Sequence, residues 1–294
     1  MGTLFSSLFI IYCMQIVKGS AFEFNILKSN NISTPIYPYL RDVVGDKDLY
    51  IVSPLHGRSF VIGKNNQGRF VVSKGNGLSY TQYPLLHTGE FYDGTWGMLL
   101  KQDAERDFTL GLEIESLGIK VNKMEYVLEL EKEVCLPNEH ILHPILLQYN
   151  VECPYRICDA AFMTRNEINS YVKDWGKMNH KGYKQAHMIA ADLLLRNLRI
   201  LHDSKILHNA ISEQNYTWSL ELLDFELACS PTNPYTSEDD MRHVKDLFPR
   251  ELLQTYVIIN YIAGILGEVV DFKIVDNLYK EYGFDIGKFK LDLL

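Results

Sequence analysis

Residues 199–228 read RILHDSKILHNAISEQNYTWSLELLDFELA, and the order of residue types in this stretch decides the fold. A helical apolar face ends near His202, the apolar Ile206-Leu207-His208 follows, and Asn215 comes seven residues after His208. Nine residues further on stands Asp224, preceded by Leu222-Leu223 and followed by Phe225. An amide oxygen and a carboxylate at the ends of two short apolar segments are hard ligands. Two protein oxygens leave room for the waters and phosphates that Mg²⁺ keeps around it. The competing readings are a turn residue at 215, or a glycosylated Asn215-Tyr216-Thr217 sequon in a secreted chain, and a loop-capping acid at 224. His208 reads as a packing residue that hydrogen-bonds the loop backbone.

Upstream, residues 48–74 alternate apolar runs with turn signals: Leu49–Val52, Arg58–Ile62 and Arg69–Val72. Gly63-Lys64-Asn65-Asn66-Gln67-Gly68 between the last two is a hairpin connector. The third run ends on Lys74, followed by Gly75-Asn76-Gly77. An ammonium at a strand end is a point charge for phosphate oxygens, and glycines allow backbone N–H groups to come close. The periodicity predicts a helix over 103–118, closed by Gly118, with Asp107 on the inward stripe of Leu110, Ile114 and Leu117. Asp107 is placed to hold Lys74; Glu105, about 160° round the wheel, is the weaker candidate. Further strands are expected at 124–130 and 145–151. Helices are expected at 184–202 and 249–266, with Pro249 in a first turn.

This pattern predicts an α+β, two-lobed, protein-kinase-like fold. Residues 1–150 form a strand-rich lobe with an N-terminal helix and one long helix, and residues 151–294 form a mainly helical lobe. In that fold ATP lies between the lobes, and the loop Asn and strand-end Asp hold Mg²⁺ on its phosphates.

The motifs resemble those of the selenoprotein O family of protein adenylyltransferases. That family carries KGxG, DGxxxxR, a helical REF and LGI. This chain has Lys74-Gly75-Asn76-Gly77, Asp93-Gly94, Arg106-Asp107-Phe108 and Leu117-Gly118-Ile119 in the same order. The family's HGVMNTDN and later DYG segments are similar to His208–Asn215 and Asp224-Phe225-Glu226, and Pro154-Tyr155-Arg156 is similar to an arginine-bearing segment. The resemblance covers about residues 71–230. It implies transfer of AMP from ATP to a hydroxyl on a protein or peptide. It places Lys74, Gly75, Gly77, Asp107 and Arg156 on the nucleotide, Asn215 and Asp224 on Mg²⁺, and Glu213, Asn215 and Asp224 in catalysis. The departures are chemical. The family's helix Glu is Asp107, the acid before the metal Asn is Gln214, and the last residue of the DYG segment is Glu226, as in small-molecule kinases. Those kinases carry an Asp base where this chain has Ala210, and a methyl group takes no proton. A kinase acting on a small molecule or peptide, and a pseudoenzyme that binds a nucleotide or partner without catalysis, are therefore the alternatives.

The 294 residues are 47% apolar, which excludes a disordered chain. Their 29 Lys and Arg against 37 Asp and Glu, a net charge of −8, give no general attraction to nucleic acid. Five cysteines without a CxxC pair argue for free thiols over a zinc site. Residues 4–17 are apolar and have three readings: a packed helix with Leu4, Leu8, Tyr12 and Ile16 on one stripe, a signal peptide ending near Ala21, or a lipid anchor at Gly2. The first favours a cytoplasmic protein and the second a secreted one. The run Tyr256–Leu266 is too short to span a bilayer, so no integral membrane span is expected.

Overall fold

The hairpin read from 59–74 is formed by strands β5 (Ser59–Lys64) and β6 (Phe70–Lys74). Its turn is set by Asn65, whose side-chain oxygen accepts from the N–H groups of Gln67 and Arg69 at 3.0 Å each. These strands sit inside an antiparallel sheet of eight, ordered β2-β7-β10-β6-β5-β4-β1-β3. The other members are β1 (Ile16–Ala21), β2 (Phe24–Ser29), β3 (Tyr39–Arg41), β4 (Asp48–Ile51), β7 (Lys123–Leu130) and β10 (Ile145–Val151). A two-residue pair, β8 (Val134–Cys135) and β9 (Ile141–Leu142), stands apart from it. The computed structural model describes residues 16–30, 34–41, 48–51, 58–77, 97–135, 141–234 and 238–287.

The chain divides into two compact units: Met1–Leu112 with Asn122–Tyr155, and Glu113–Val121 with Arg156–Leu294. The first is strand-rich and the second is helical, so the class is α+β with the element order of a kinase-like fold. The expected helix over 4–17 lies outside the described residues up to 15; Ile16, placed on its stripe, instead begins a strand.

In the first unit, Leu40, Tyr126, Leu128, Leu130 and Leu146 make a core cluster, with Phe22, Phe24, Ile36 and Val134 packed on it. A polar knot is buried beside it. The Glu125 carboxylate accepts from Gln148 at 2.8 Å, Asn150 at 2.8 Å and the Thr34 hydroxyl at 2.9 Å, satisfying oxygens that burial would otherwise leave costly. Helix α1 (Lys101–Ser116) follows the sheet's hairpin in sequence and ends at Gly118, whose φ of 81° suits a residue without a Cβ.

The second unit contains α2 (Arg165–Lys177), α3 (Ala186–Asp203), α4 (Glu238–Leu266) and α5 (Phe272–Glu281). Helix α3 packs on α4, α2 and α5. Trp175 of α2 stacks on Trp218 with ring centroids 5.7 Å apart, and its indole N–H donates to the Trp218 carbonyl at 2.9 Å. Pro249 does not start a helix as the sequence predicts. It lies inside α4, which begins at Glu238. The added turns carry Glu238, Asp239 and Asp240, acids that favour a helix N-terminus, and then Met241, Val244 and Phe248 at helical spacing. No helix among the described residues is long and apolar enough to cross a membrane.

The start of α3 has an acid from elsewhere in the chain as its cap. Glu268 accepts from the N–H groups of Ala186 and His187 at 2.9 Å each and meets His187 Nδ1 at 2.7 Å. Burial alone would raise this carboxyl, but the His187 and Ala186 N–H groups and the His187 ring outweigh it and hold it below the usual range. A carboxyl lowered in the folded state stabilises fully above its unfolded pKa, and that contribution is lost as pH falls through the folded one. Glu268→Gln is therefore expected to lower the melting temperature at pH 7, with the gap to wild type closing below about pH 4. A gap unchanged across that range in thermal melts would rule out the carboxylate as its source.

Candidate functional site

In the first unit, β6 lies between β10 and β5, with Lys74 opposite Leu147 on one side and Ser59 on the other. Lys74 Nζ donates to Asp107 Oδ2 of α1 at 2.8 Å, and both side chains are only 2% exposed. The shorter acid thus reaches the lysine. Glu105, half-buried, contributes its backbone carbonyl to the Thr109 hydroxyl.

Gly75 and Gly77 serve the backbone rather than a phosphate cradle. Gly75 N–H donates to the Arg58 carbonyl at 2.8 Å and Gly77 N–H to the Gly97 carbonyl at 3.3 Å, so both donors are already used. What requires glycine at 75 is its φ of 99° and the Ile145 carbonyl oxygen, which lies 2.4 Å from where a Cβ would stand. Gly75→Ala is expected to destabilise the first unit by about 2–3 kcal/mol, through left-handed strain plus a backbone clash. Urea denaturation measures it, and a change under about 0.5 kcal/mol, the level of a neutral surface substitution, would show that the strand end relaxes. Asp93-Gly94 lies outside the described residues.

In the second unit, a turn at Thr217–Glu221 folds the chain back on itself. Thr217 N–H donates to the Glu221 carbonyl at 3.0 Å, and the Ser219 hydroxyl donates to the Glu221 carboxylate at 2.7 Å. Leu223 N–H then donates to the Asn215 carbonyl at 2.9 Å, which brings Asn215 beside Asp224. Asp224 is held at φ 70° and Asn209 at φ 64°, a backbone region in which Asp and Asn are enriched.

The loop before Asn215 is tied down twice. His208 Nε2 bonds to the Leu223 carbonyl at 2.8 Å, and its ring meets Phe225 edge-on at 5.4 Å. Beneath it, Glu251 of α4, 2% exposed, accepts from His208 N–H at 2.7 Å and Asn209 N–H at 2.9 Å and meets His202 Nε2 at 2.8 Å. Glu251 is an anchor of this loop that the sequence reading does not single out. The available signal was an acid on the α4 stripe of Thr255, Ile258 and Ile262, where a charge has to find donors.

Asn215 is 7% exposed and uses both ends of its amide. Its Nδ2 donates to the Ala210 carbonyl at 2.8 Å, and its Oδ1 accepts from Arg156 Nη1 at 3.0 Å. The sequon reading is thereby excluded, since a buried and bonded amide offers no nitrogen to a sugar. Arg156 Nη1 also donates to the Gln214 carbonyl at 2.6 Å and lies 3.8 Å from Asp224 Oδ2. Arg156, Asn215 and Asp224 are therefore together. Glu213 is placed differently. Its carbonyl accepts from Cys158 N–H at 3.2 Å, and no hydrogen bond or ion pair ties its carboxylate to Asn215 or Asp224 among the described residues. It lies by the Cys158 thiol, which burial, with Asp159 and Glu213 adding to it, pushes up to about 12. That thiol stays protonated and unreactive at neutral pH.

The Mg²⁺ expected on Asn215 and Asp224 does not fit this donor set. The amide oxygen already has a guanidinium on it, and a cation bridging both oxygens would stand beside that charge. The repulsion is about 4 kcal/mol per unit charge at 4 Å in a protein-like dielectric. The second unit supplies a fixed positive charge at this point, not a vacant ligand pair.

No family model matches the chain, and no curated protein matches it. Two of the solved structures that resemble it are kinase domains. One is a rhoptry antigen kinase domain specific to Toxoplasma gondii, 11% identical, covering 75% of this chain and 68% of that one with a TM-score of 0.39. The other is the ROP18 kinase domain in complex with AMP-PNP and sucrose, 11% identical, covering 95% of this chain and 89% of that one with a TM-score of 0.31.

Proposed function

We propose that the chain is a nucleotide-binding pseudoenzyme of the kinase-like fold: it takes up ATP or a related nucleotide and performs no base-assisted transfer. The observation that carries this reading is Arg156 on Asn215, with Ala210 at the position of the proton acceptor. A kinase catalytic loop needs a carboxylate there and an open amide oxygen for its cation. This loop has a methyl group and an occupied oxygen, while its backbone is still held by Glu251 and His208. The Lys74–Asp107 pair supports retention of nucleotide binding, because such a lysine is positioned to meet phosphate charge.

Nucleotidyl transfer to a protein or peptide hydroxyl is the second reading. The Lys74–Asp107 pair also favours it, since transfer driven by positioning and charge neutralisation asks less of position 210 than a base mechanism does. It requires Arg156 to leave Asn215 so that Mg²⁺ can take its place.

Parallel incubations with α-³²P-ATP and γ-³²P-ATP, beside equilibrium binding of ATP, separate the readings. Binding with no label transferred from either position is the expected result. Label from the α position on a protein would establish nucleotidyl transfer instead, and label from γ alone a kinase. Failure to bind ATP at all would overturn the nucleotide reading.

A further inference from the structure

We infer that the face of the sheet turned away from Lys74 is a peptide-binding surface. Its partner is an extended, proline-containing segment of another protein, with a hydroxyl residue before the first proline and an aliphatic residue after it. The chain's own residues 34–39 occupy the surface and show what fits there.

Gln148 lies opposite Tyr126 of β7 and opposite Ser73 of β6, so it faces away from Lys74 and its neighbour Leu147. Along this face the sheet's side chains bond to the backbone of the strap 34–39. The Gln148 amide takes the strap with both of its ends. Its Nε2 donates to the Pro35 carbonyl at 2.9 Å, and its Oε1 accepts from Tyr37 N–H at 3.1 Å. The Tyr126 hydroxyl donates to the Thr34 carbonyl at 3.2 Å, and Asn76 Nδ2 donates to the Tyr39 carbonyl. Main-chain groups are common to every peptide, so these bonds recognise an extended backbone rather than one sequence. Pro35 and Pro38 favour that extended form, through their own fixed φ and through the restriction they place on Thr34 and Tyr37 before them.

Two side chains of the strap are recognised as well. The Thr34 hydroxyl donates to the Glu125 carboxylate at 2.9 Å, and Ile36 packs on the cluster that includes Tyr126, Leu128 and Leu146. Glu125 is available because the β7–β10 ladder slips. Gln148 pairs with Tyr126 and Tyr149 with Met124, which leaves Glu125 as the extra residue of a bulge. Such bulges re-aim a side chain. A fixed cover could be held by an apolar face alone. This face instead presents Glu125 and Gln148, both 0% exposed, whose hydrogen bonds water can replace when the strap lifts. A cover held in that way is exchangeable for another peptide that makes the same bonds.

Hydrogen exchange of wild type is the first test. The Tyr37 amide is expected to exchange at least roughly a hundredfold faster than the ladder amides of β7 and β10, because the strap opens while the sheet stays folded. Exchange of Tyr37 at the ladder's own rate would make the strap a fixed part of the fold and overturn the proposal, and this arm needs no variant.

The second test is fluorescence anisotropy of a labelled synthetic peptide of residues 34–39, titrated with the full chain. Ile36→Asp places a charge against the apolar cluster and unseats the chain's own strap. It is expected to bind the peptide at least about tenfold tighter than wild type, and Ile36→Asp/Gln148→Ala is expected to lose that gain. Ile36→Asp that keeps its circular dichroism but binds no better than wild type overturns the surface, and so does a gain that survives Gln148→Ala. Ile36→Asp that pairs with wild type in sedimentation without binding the peptide would assign the surface to a second copy of this chain and overturn the reading of a separate partner.

Discussion

Asp107→Ala is expected to cost about 3–5 kcal/mol of folding free energy, the range for breaking a buried ion pair from one side. The cause is the lysine left behind. Lys74 sits mid-sheet with 2% of its side chain exposed, so its ammonium cannot turn to water when its carboxylate partner is deleted. The ammonium then stays buried without the carboxylate that faces it at 2.8 Å. Lys74→Met/Asp107→Leu is expected to recover most of the loss, because an apolar pair of similar volume carries no desolvation cost. Chemical denaturation of Lys74→Met, Asp107→Leu and the double variant gives the coupling energy directly. Additive single effects would mean that the two side chains do not act as a pair in solution. The double variant is also the cleaner probe of ligand binding, since a folded protein without the ammonium should lose nucleotide affinity.

The second large effect is expected at Glu251. Its carboxylate meets three donors, at 2.7, 2.9 and 2.8 Å, from His208 N–H, Asn209 N–H and the His202 ring. Glu251→Ala leaves the two backbone donors buried without this acceptor, at about 1–3 kcal/mol for each such group, so a total of roughly 2–6 kcal/mol is expected. Glu251→Gln keeps the volume and one acceptor oxygen, and should lose about half as much, because its NH₂ group faces donors rather than acceptors. Hydrogen exchange distinguishes this from a simple packing loss, since the amides of His208 and Asn209 should lose protection before those of α3. If Glu251→Gln matches wild type within about 0.5 kcal/mol, the size expected of a neutral surface change, the loop is held by its other contacts.

These two residues also mark the limits of what the sequence could say. Lys74 was legible because a strand-forming run ended on it between clear turn signals, and Asp107 because it fell on the apolar stripe of a strongly periodic helix. The 59–74 hairpin, α1, β7, β10 and α3 were legible for the same reason: their local chemistry and their tertiary environment agree. Strand β2 was missed because little of it is buried, which leaves no alternation to read. Helices α2 and α5 were passed over because short polar helices lean on caps such as Thr164 and Asp271 more than on a long apolar face. The start of α4 was misplaced because Pro249 imitates a first-turn proline. The glycines at 75 and 77 suggest a ligand-facing loop, yet their N–H groups are taken by the Arg58 and Gly97 carbonyls. Arg156 was legible as a cation near the site but not as a partner of Asn215. That pairing depends on two segments about sixty residues apart in sequence lying bonded side by side, which no local pattern encodes.

The division of the chain has a consequence for how it can be made. Residues 113–121 belong with the second unit although the first resumes at Asn122, so the two are interleaved along the polypeptide and no single cut yields either whole. A fragment ending near residue 112 lacks β7 and β10, which occupy the interior of the sheet. During synthesis, Lys120 waits for Leu222, whose N–H its carbonyl accepts at 2.9 Å. That is about 100 residues later, on the order of 5–20 s at the usual pace of translation. The segment emerges long before its own partners exist, which makes the order of emergence from the ribosome a constraint on how this protein reaches its native state.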